Sequence, residues 1–250
     1  MFLNDESIFS NITNTINFIN NSDNKIKKVT FITTSNRYKG DKLSIPKSTM
    51  VAKLIKKYTS ANVNIIDMND LKIHVCEGNV SSHSGNNCGV IAAMMKDDKK
   101  NPHNILRCWA SVNNEDDELY KIVNSIIDSQ LVIFFTSVRW GQTNSQYQKL
   151  IERLTWLENR HSTLGEDNPL KKIKAGIVIM GHNFNGSEIL NTQRQVLKFF
   201  GFDFQNTLSW NYQYTNQTSD ETQQSYKGAS KDFIDDIKKY IMKRDGKLDY

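Results

Sequence analysis

The strongest constraint on this chain is a regular alternation of short apolar runs with longer amphipathic ones. Apolar, β-branched runs fall at residues 28–33, 63–68, 131–136, 174–180 and 207–212. Residues 49–58, 115–129, 145–160, 187–200 and 230–242 instead read as helices, one after each strand. The 131–136 run is apolar along its length, as expected of a strand covered on both faces. Strands separated by helices pair in parallel through right-handed crossovers, which puts helices on both faces of one sheet. The expected class is therefore α/β, with five parallel strands in a doubly wound sheet. Ligands of such sheets sit beyond the carboxyl ends of the strands. The loops that matter then begin near Thr34, Asp67, Thr136, Gly181 and Tyr212.

The 250 residues suit one large domain or one domain with additions. Residues 26–245 are expected to form a flavodoxin-like sheet domain. Ile8, Ile12, Ile16 and Ile19 lie at helical spacing and predict a peripheral helix within residues 1–25, docked on the domain or on a partner subunit. Residues 69–114 form a long irregular insertion, and connections of that length are usually functional lids or binding loops.

Charge excludes some functions. The net charge of +5 is spread over Lys25, Lys27 and Lys28, then Lys96, Lys99 and Lys100, then Lys238, Lys239, Lys243 and Arg244. No dense basic run is interleaved with aromatics, so nucleic acid is not an expected partner. A mild positive potential still favours phosphates and dinucleotides. No apolar run is long enough to span a bilayer. The first residues lack the features of a secretory signal, so a cytoplasmic location is expected.

After the first strand, Thr34, Ser35, Asn36 and Arg37 lead through a polar excursion to Lys47, Ser48 and Thr49 at a helix start, with Ser48 the expected N-cap. Hydroxyls and free amides at a helix N-terminus bind anions, and a phosphate dianion best. Ordinary capping explains the same residues. The segment matches neither the P-loop nor the dinucleotide fingerprint. After the third strand come Thr136, Ser137, Val138, Arg139, Trp140 and Gly141. A flat heterocycle needs backbone amides at its edge and an aromatic wall beside its face, and Trp140-Gly141 offers both. After the fourth strand, Gly181, His182, Asn183 and Gly186 form a polar, glycine-bracketed loop.

Ser137 to Gln142, with Lys149-Leu150-Ile151-Glu152-Arg153-Leu154 in the following helix, resembles the NAD(P)H-dependent FMN reductase branch of the flavodoxin-like superfamily. Ser35, Arg37, Ser48 and Thr49 occupy the positions of that family's phosphate loop, though Thr34 replaces its usual glycine. The resemblance implies FMN held at the phosphate by Ser35, Arg37, Ser48 and Thr49. It implies contacts to the ring from Thr136, Ser137, Val138, Arg139, Trp140, Gly141, Gly181, His182, Asn183 and Gly186. His182 is the one candidate acid, with a structural hydrogen-bonding role as its alternative. Trp210 and Tyr212 line the acceptor side or belong to the core. The family's oligomers imply a homodimer or homotetramer.

Iron–sulfur flavoproteins of the same branch carry four cysteines after the second strand. Here the frame reads Cys76, Asn79, Ser82 and Cys88, which lacks two of the four thiolates a cluster needs. No metal is expected. The segment is expected to be a degenerate cluster loop kept as a lid or subunit contact, with zinc on Cys76, Cys88, His83 and His74, or a Cys76–Cys88 disulfide, as the alternatives. The expected function is an FMN-dependent oxidoreductase that carries hydride from NADPH or NADH to a quinone, nitro compound, flavin or metal complex. A flavodoxin-type electron carrier and a binding subunit without cofactor are the alternatives.

Overall fold

A computed structural model describes residues 6–36, 45–182, 184–215 and 217–246. The chain runs α1 (Glu6–Asn20), β1 (Lys28–Thr33), α2 (Lys47–Tyr58), β2 (Asn62–Asp67), α3 (Trp109–Asn113), α4 (Leu119–Ile127) and β3 (Leu131–Arg139). It continues with β4 (Gln142–Thr143), α5 (Ser145–Ser162), β5 (Lys174–Gly181), α6 (Gly186–Phe199), β6 (Asp203–Phe204), β7 (Trp210–Gln213) and α7 (Gln223–Arg244). The main sheet is parallel in the order β2-β1-β3-β5, with β6 and β7 both on the outer edge of β5.

Side chains alternate across a strand, and here that period sorts the core into two halves. Leu131, Ile133 and Phe135 of β3 face one apolar layer with α1, α2 and α7, while Val132 and Phe134 face the other, with α4, α5 and α6. The isoleucines of α1 are buried in the first layer. Each buried isoleucine contributes roughly 1.5–3 kcal/mol, which offsets a substantial part of the cost of ordering so polar a helix. Asn20 reinforces the docking by donating to the Tyr58 carbonyl at 3.0 Å.

The fifth strand position is broken where one strand over 207–212 was expected. β6 pairs with Lys174 and Ala175, a short turn follows, and β7 pairs with Val178 to Gly181. The turn crosses against Gly176, where a Cβ would lie 2.5 Å from the Leu208 carbonyl oxygen. Only glycine permits that approach. Trp210 belongs to the core, with its indole donating to Thr15 Oγ1 at 3.3 Å.

The acidic residues expected in the first turn of a helix at 115–129 have other work. α4 begins only at Leu119, and Asp116, Asp117 and Glu118 precede it. Asp116 pairs with Lys72 and His74, and Glu118 accepts from the Lys72 amide at 2.8 Å. Asp117 is buried against Arg153 of α5. These contacts tie the irregular stretch down over α4 and α5, where Ile73, Met95, Leu106 and Cys108 join the core. Ser48 is likewise not the N-cap of α2, which begins at Lys47 after Pro46.

Candidate functional site

A cleft of about 810 Å³ opens at the carboxyl edge of the sheet, a size in the range of small-molecule sites. One end is built from β1 and α2. Ser35 follows β1, and Ser48 lies in the first turn of α2 and donates its hydroxyl proton to Ser35 Oγ at 2.7 Å. Thr49 is buried beside them, and among the described residues its hydroxyl has no hydrogen-bond partner. A buried hydroxyl without a partner is costly, so it marks a place where an acceptor is missing. The first amides of this helix add the partial positive charge that an anion needs. Lys47 also lines this end, its Nζ 4.5 Å from the centroid of the Tyr214 ring.

The opposite lip is a hairpin that was not legible in the sequence. β3 runs on to Arg139 and turns back through Trp140 and Gly141 into β4, Val138 facing Thr143. Both turn residues have positive φ, 48° and 70°, which defines a type I′ turn. Gly141 suits it twice over, because a Cβ there would also meet the Phe184 ring at 2.7 Å. Trp140 is an outlier for so large a side chain, and it stands 95% exposed at the tip. Asn185 Nδ2 donates to the Gly141 carbonyl at 2.9 Å and staples the hairpin to the loop after β5.

Between the lips lie Met180, Gly181 and His182 at the end of β5. The far wall is formed by Tyr214 after β7 and by Glu221, Tyr226 and Ala229 at the start of α7. Expectation had started this helix at residue 230, but Thr222 caps it by accepting from the Ser225 amide at 3.1 Å. The His182 and Tyr226 rings stack with centroids 4.1 Å apart and planes 19° from parallel. Tyr226 donates its hydroxyl to Glu221. That bond, followed by partial burial, raises the Tyr226 hydroxyl above its usual pKa, which nearby Arg139 only partly offsets.

Of the residues expected from sequence, Ser35, Ser48, Ser137, Val138, Arg139, Trp140, Gly181 and His182 line this cleft together. Thr49, Thr136, Gly141 and Gly186 stand behind its surface, while Arg37 and Asn183 lie outside the described residues. Thr136 is buried with its hydroxyl turned to Asn144. No residue of 69–114, the stretch expected as a lid, lines the cleft, and its Ile73, Met95, Leu106 and Cys108 pack against the helices as a clasp.

Asn144 is the supporting residue that sequence reading missed. Its side-chain amide lies 3.1 Å from Thr34 Oγ1, 3.0 Å from Thr136 Oγ1 and 3.1 Å from Ser137 Oγ. Its Oδ1 accepts from the Tyr147 amide at 3.0 Å and so caps α5. One side chain thus joins the ends of β1 and β3 to the start of a helix. An Asn before a helix is a recognisable cap, but its second role needs three distant segments to meet.

The three cysteines are free thiols, and Cys76 and Cys88 lie in the clasp away from the cleft. Burial, followed by its neighbours Cys108 and Cys76, pushes the Cys88 thiol up to about 12.

No family model and no curated protein matches the chain. Solved structures do. The crystal structure of RosB, with bound 8-demethyl-8-formylriboflavin-5′-phosphate, aligns over 89% of this chain and 82% of its own, with a TM-score of 0.54 and 11% identity. The azoreductase AzrA aligns over 85% and 98%, with a TM-score of 0.49 and 13% identity. An NAD(P)H:quinone oxidoreductase from Methanothermobacter marburgensis aligns over 87% and 97%, with a TM-score of 0.46 and 9% identity. Strand order and the likeness to RosB agree that the chain has a flavodoxin-like α/β fold.

Proposed function

We propose that this chain is an FMN-dependent oxidoreductase that uses NADPH or NADH to reduce a small acceptor. The observation that carries the reading is the two-ended character of the cleft. One end offers hydroxyls and a helix N-terminus at Ser35 and Ser48, with the unpartnered Thr49 hydroxyl buried behind them, and the other offers aromatic rings and the Ser137–Trp140 hairpin. A phosphate ester of a planar heterocycle has the same two ends. RosB, which has a like fold, was solved with a riboflavin 5′-phosphate derivative bound, which supports the choice of ligand.

Bound there, FMN would supply the redox chemistry, taking hydride from the nicotinamide and passing it to the acceptor. The chain's own residues would bind and orient. Ser35, Ser48 and Thr49 would hold the phosphate, with Thr49 gaining the acceptor it lacks. Ser137, Val138 and Arg139 would run along the ring edge, and Trp140 would cover a face, losing exposed apolar surface as it did so.

The test is the visible spectrum of the purified protein, repeated after addition of FMN and then of NADPH or NADH without oxygen. Flavin bands that bleach with the nicotinamide are expected. Bands that bleach only with dithionite would make the chain an electron carrier, and a colourless protein that takes up no FMN would overturn the reading.

A further inference from the structure

His182 was the candidate acid, yet its ring is already engaged. Nε2 lies 3.2 Å from the Asp220 carbonyl oxygen, which can only accept, so that nitrogen carries the hydrogen and donates it there. Ser225 Oγ lies 3.5 Å from the same nitrogen. One ring face is covered by Tyr226 at 4.1 Å, and the Tyr214 ring stands 6.1 Å away at 42°. Its backbone is engaged as well, since the His182 carbonyl accepts from the Thr215 amide at 2.8 Å. Every one of these partners belongs to the segment between β7 and the second turn of α7.

That segment is the far wall of the cleft, and little else in it is apolar enough to hold it down. The first buried side chain of α7 is Phe233, more than one turn beyond Tyr226. Tyr226 is 44% exposed and lines the cleft beside His182, so the stacked ring borders the space a ligand would fill.

We propose that His182 is a positioning residue rather than a proton donor. It pins the first turns of α7 across the cleft and fixes Tyr226 as the stacking surface for a planar ring. The ring is that of FMN or of an aromatic acceptor if the reading above holds, but the pinning does not depend on it.

Hydrogen exchange of the ligand-free protein tests the pin directly, and FMN dissociation tests its use. His182→Ala should raise exchange across residues 220–229 and speed FMN release about tenfold, the worth of one stacked ring pair. His182→Phe, which restores the stack but cannot donate a proton, should recover most of both losses, and Tyr226→Ala should reproduce the faster release. Two results would overturn the proposal. One is unchanged exchange at residues 220–229 in His182→Ala. The other is a His182→Phe protein with wild-type exchange and FMN release whose turnover with NADPH is as impaired as that of His182→Ala. If the wild-type protein binds no FMN, the exchange measurement still decides whether His182 pins the helix, and the failure belongs to the FMN reading alone.

Discussion

The pair formed by Asp117 and Arg153 gives the sharpest stability prediction. Both side chains are fully buried, with Nη1 2.8 Å from Oδ1 and Nη2 2.8 Å from Oδ2. Arg153 also donates to the His74 carbonyl at 2.7 Å and to Ser111 Oγ at 2.7 Å. Asp117 accepts in turn from the His74 amide at 3.0 Å and from Ser111 Oγ at 2.8 Å. Asp117→Ala leaves a buried guanidinium without its counter-charge, which costs about 3–5 kcal/mol. Against a total of about 5–15 kcal/mol for a typical domain, that is a fifth or more. Replacing both partners by apolar residues of similar volume, as in Asp117→Leu with Arg153→Met, removes the stranded charge and should cost far less than Asp117→Ala alone. The pH dependence has a definite sign. Burial pushes the Asp117 carboxyl up, but Arg153 and the His74 amide outweigh it and hold it below the usual range. The stabilisation is therefore complete above the ordinary carboxylate pKa of about 3.9 and is lost as pH falls toward the depressed value. Urea unfolding followed by circular dichroism at pH 7 and at about pH 2.5, below the ordinary carboxylate pKa, measures both effects. A cost for Asp117→Ala below about 1 kcal/mol, or a double variant as unstable as the sum of the single ones, would refute the argument.

The other predictions concern the cleft and the clasp. Ser48→Ala combined with Thr49→Val should weaken FMN binding about tenfold or more while leaving riboflavin affinity little changed, as titrated by flavin fluorescence. Equal losses for both flavins would mean that these hydroxyls do not meet a phosphate. Trp140→Asn puts a residue that tolerates positive φ into the type I′ turn and should stabilise the protein by roughly 0.5–1 kcal/mol in thermal unfolding. The same substitution should weaken FMN binding, and a gain in both would show that the indole covers nothing. Cys88, with its thiol pushed up to about 12, should resist iodoacetamide at pH 8 in the folded protein and react after unfolding, as read by mass spectrometry.

The parts legible in the sequence are those set by local period. β1 spans residues 28–33 as expected, and the isoleucines of α1 and the two-faced alternation of β3 follow from spacing alone. The parts that were not legible arise where a residue serves two distant segments at once. Asp116, Asp117 and Glu118 look like the acidic first turn of a helix because the sequence shows only their neighbours. Their partners, Lys72, His74 and Arg153, come from elsewhere in the chain. The start of α7 was invisible for the opposite reason. Residues 223–229 bury no side chain, so no apolar stripe announces a helix there.

The cleft combines both cases. Many of the residues that line it sit at the ends of β1, β3 and β5, where a parallel sheet presents its loops, so topology pointed to that edge. Their geometry depends on Asn144 and His182, each joining segments that are far apart in sequence. Asn144 gathers three hydroxyls under the floor, and His182 holds the far wall to the end of β5. A substitution at either should therefore alter the shape of the cleft before it alters its inventory of groups. That distinction separates a positioning role from a chemical one: affinity and exchange move together, while a conservative replacement that keeps the shape restores both.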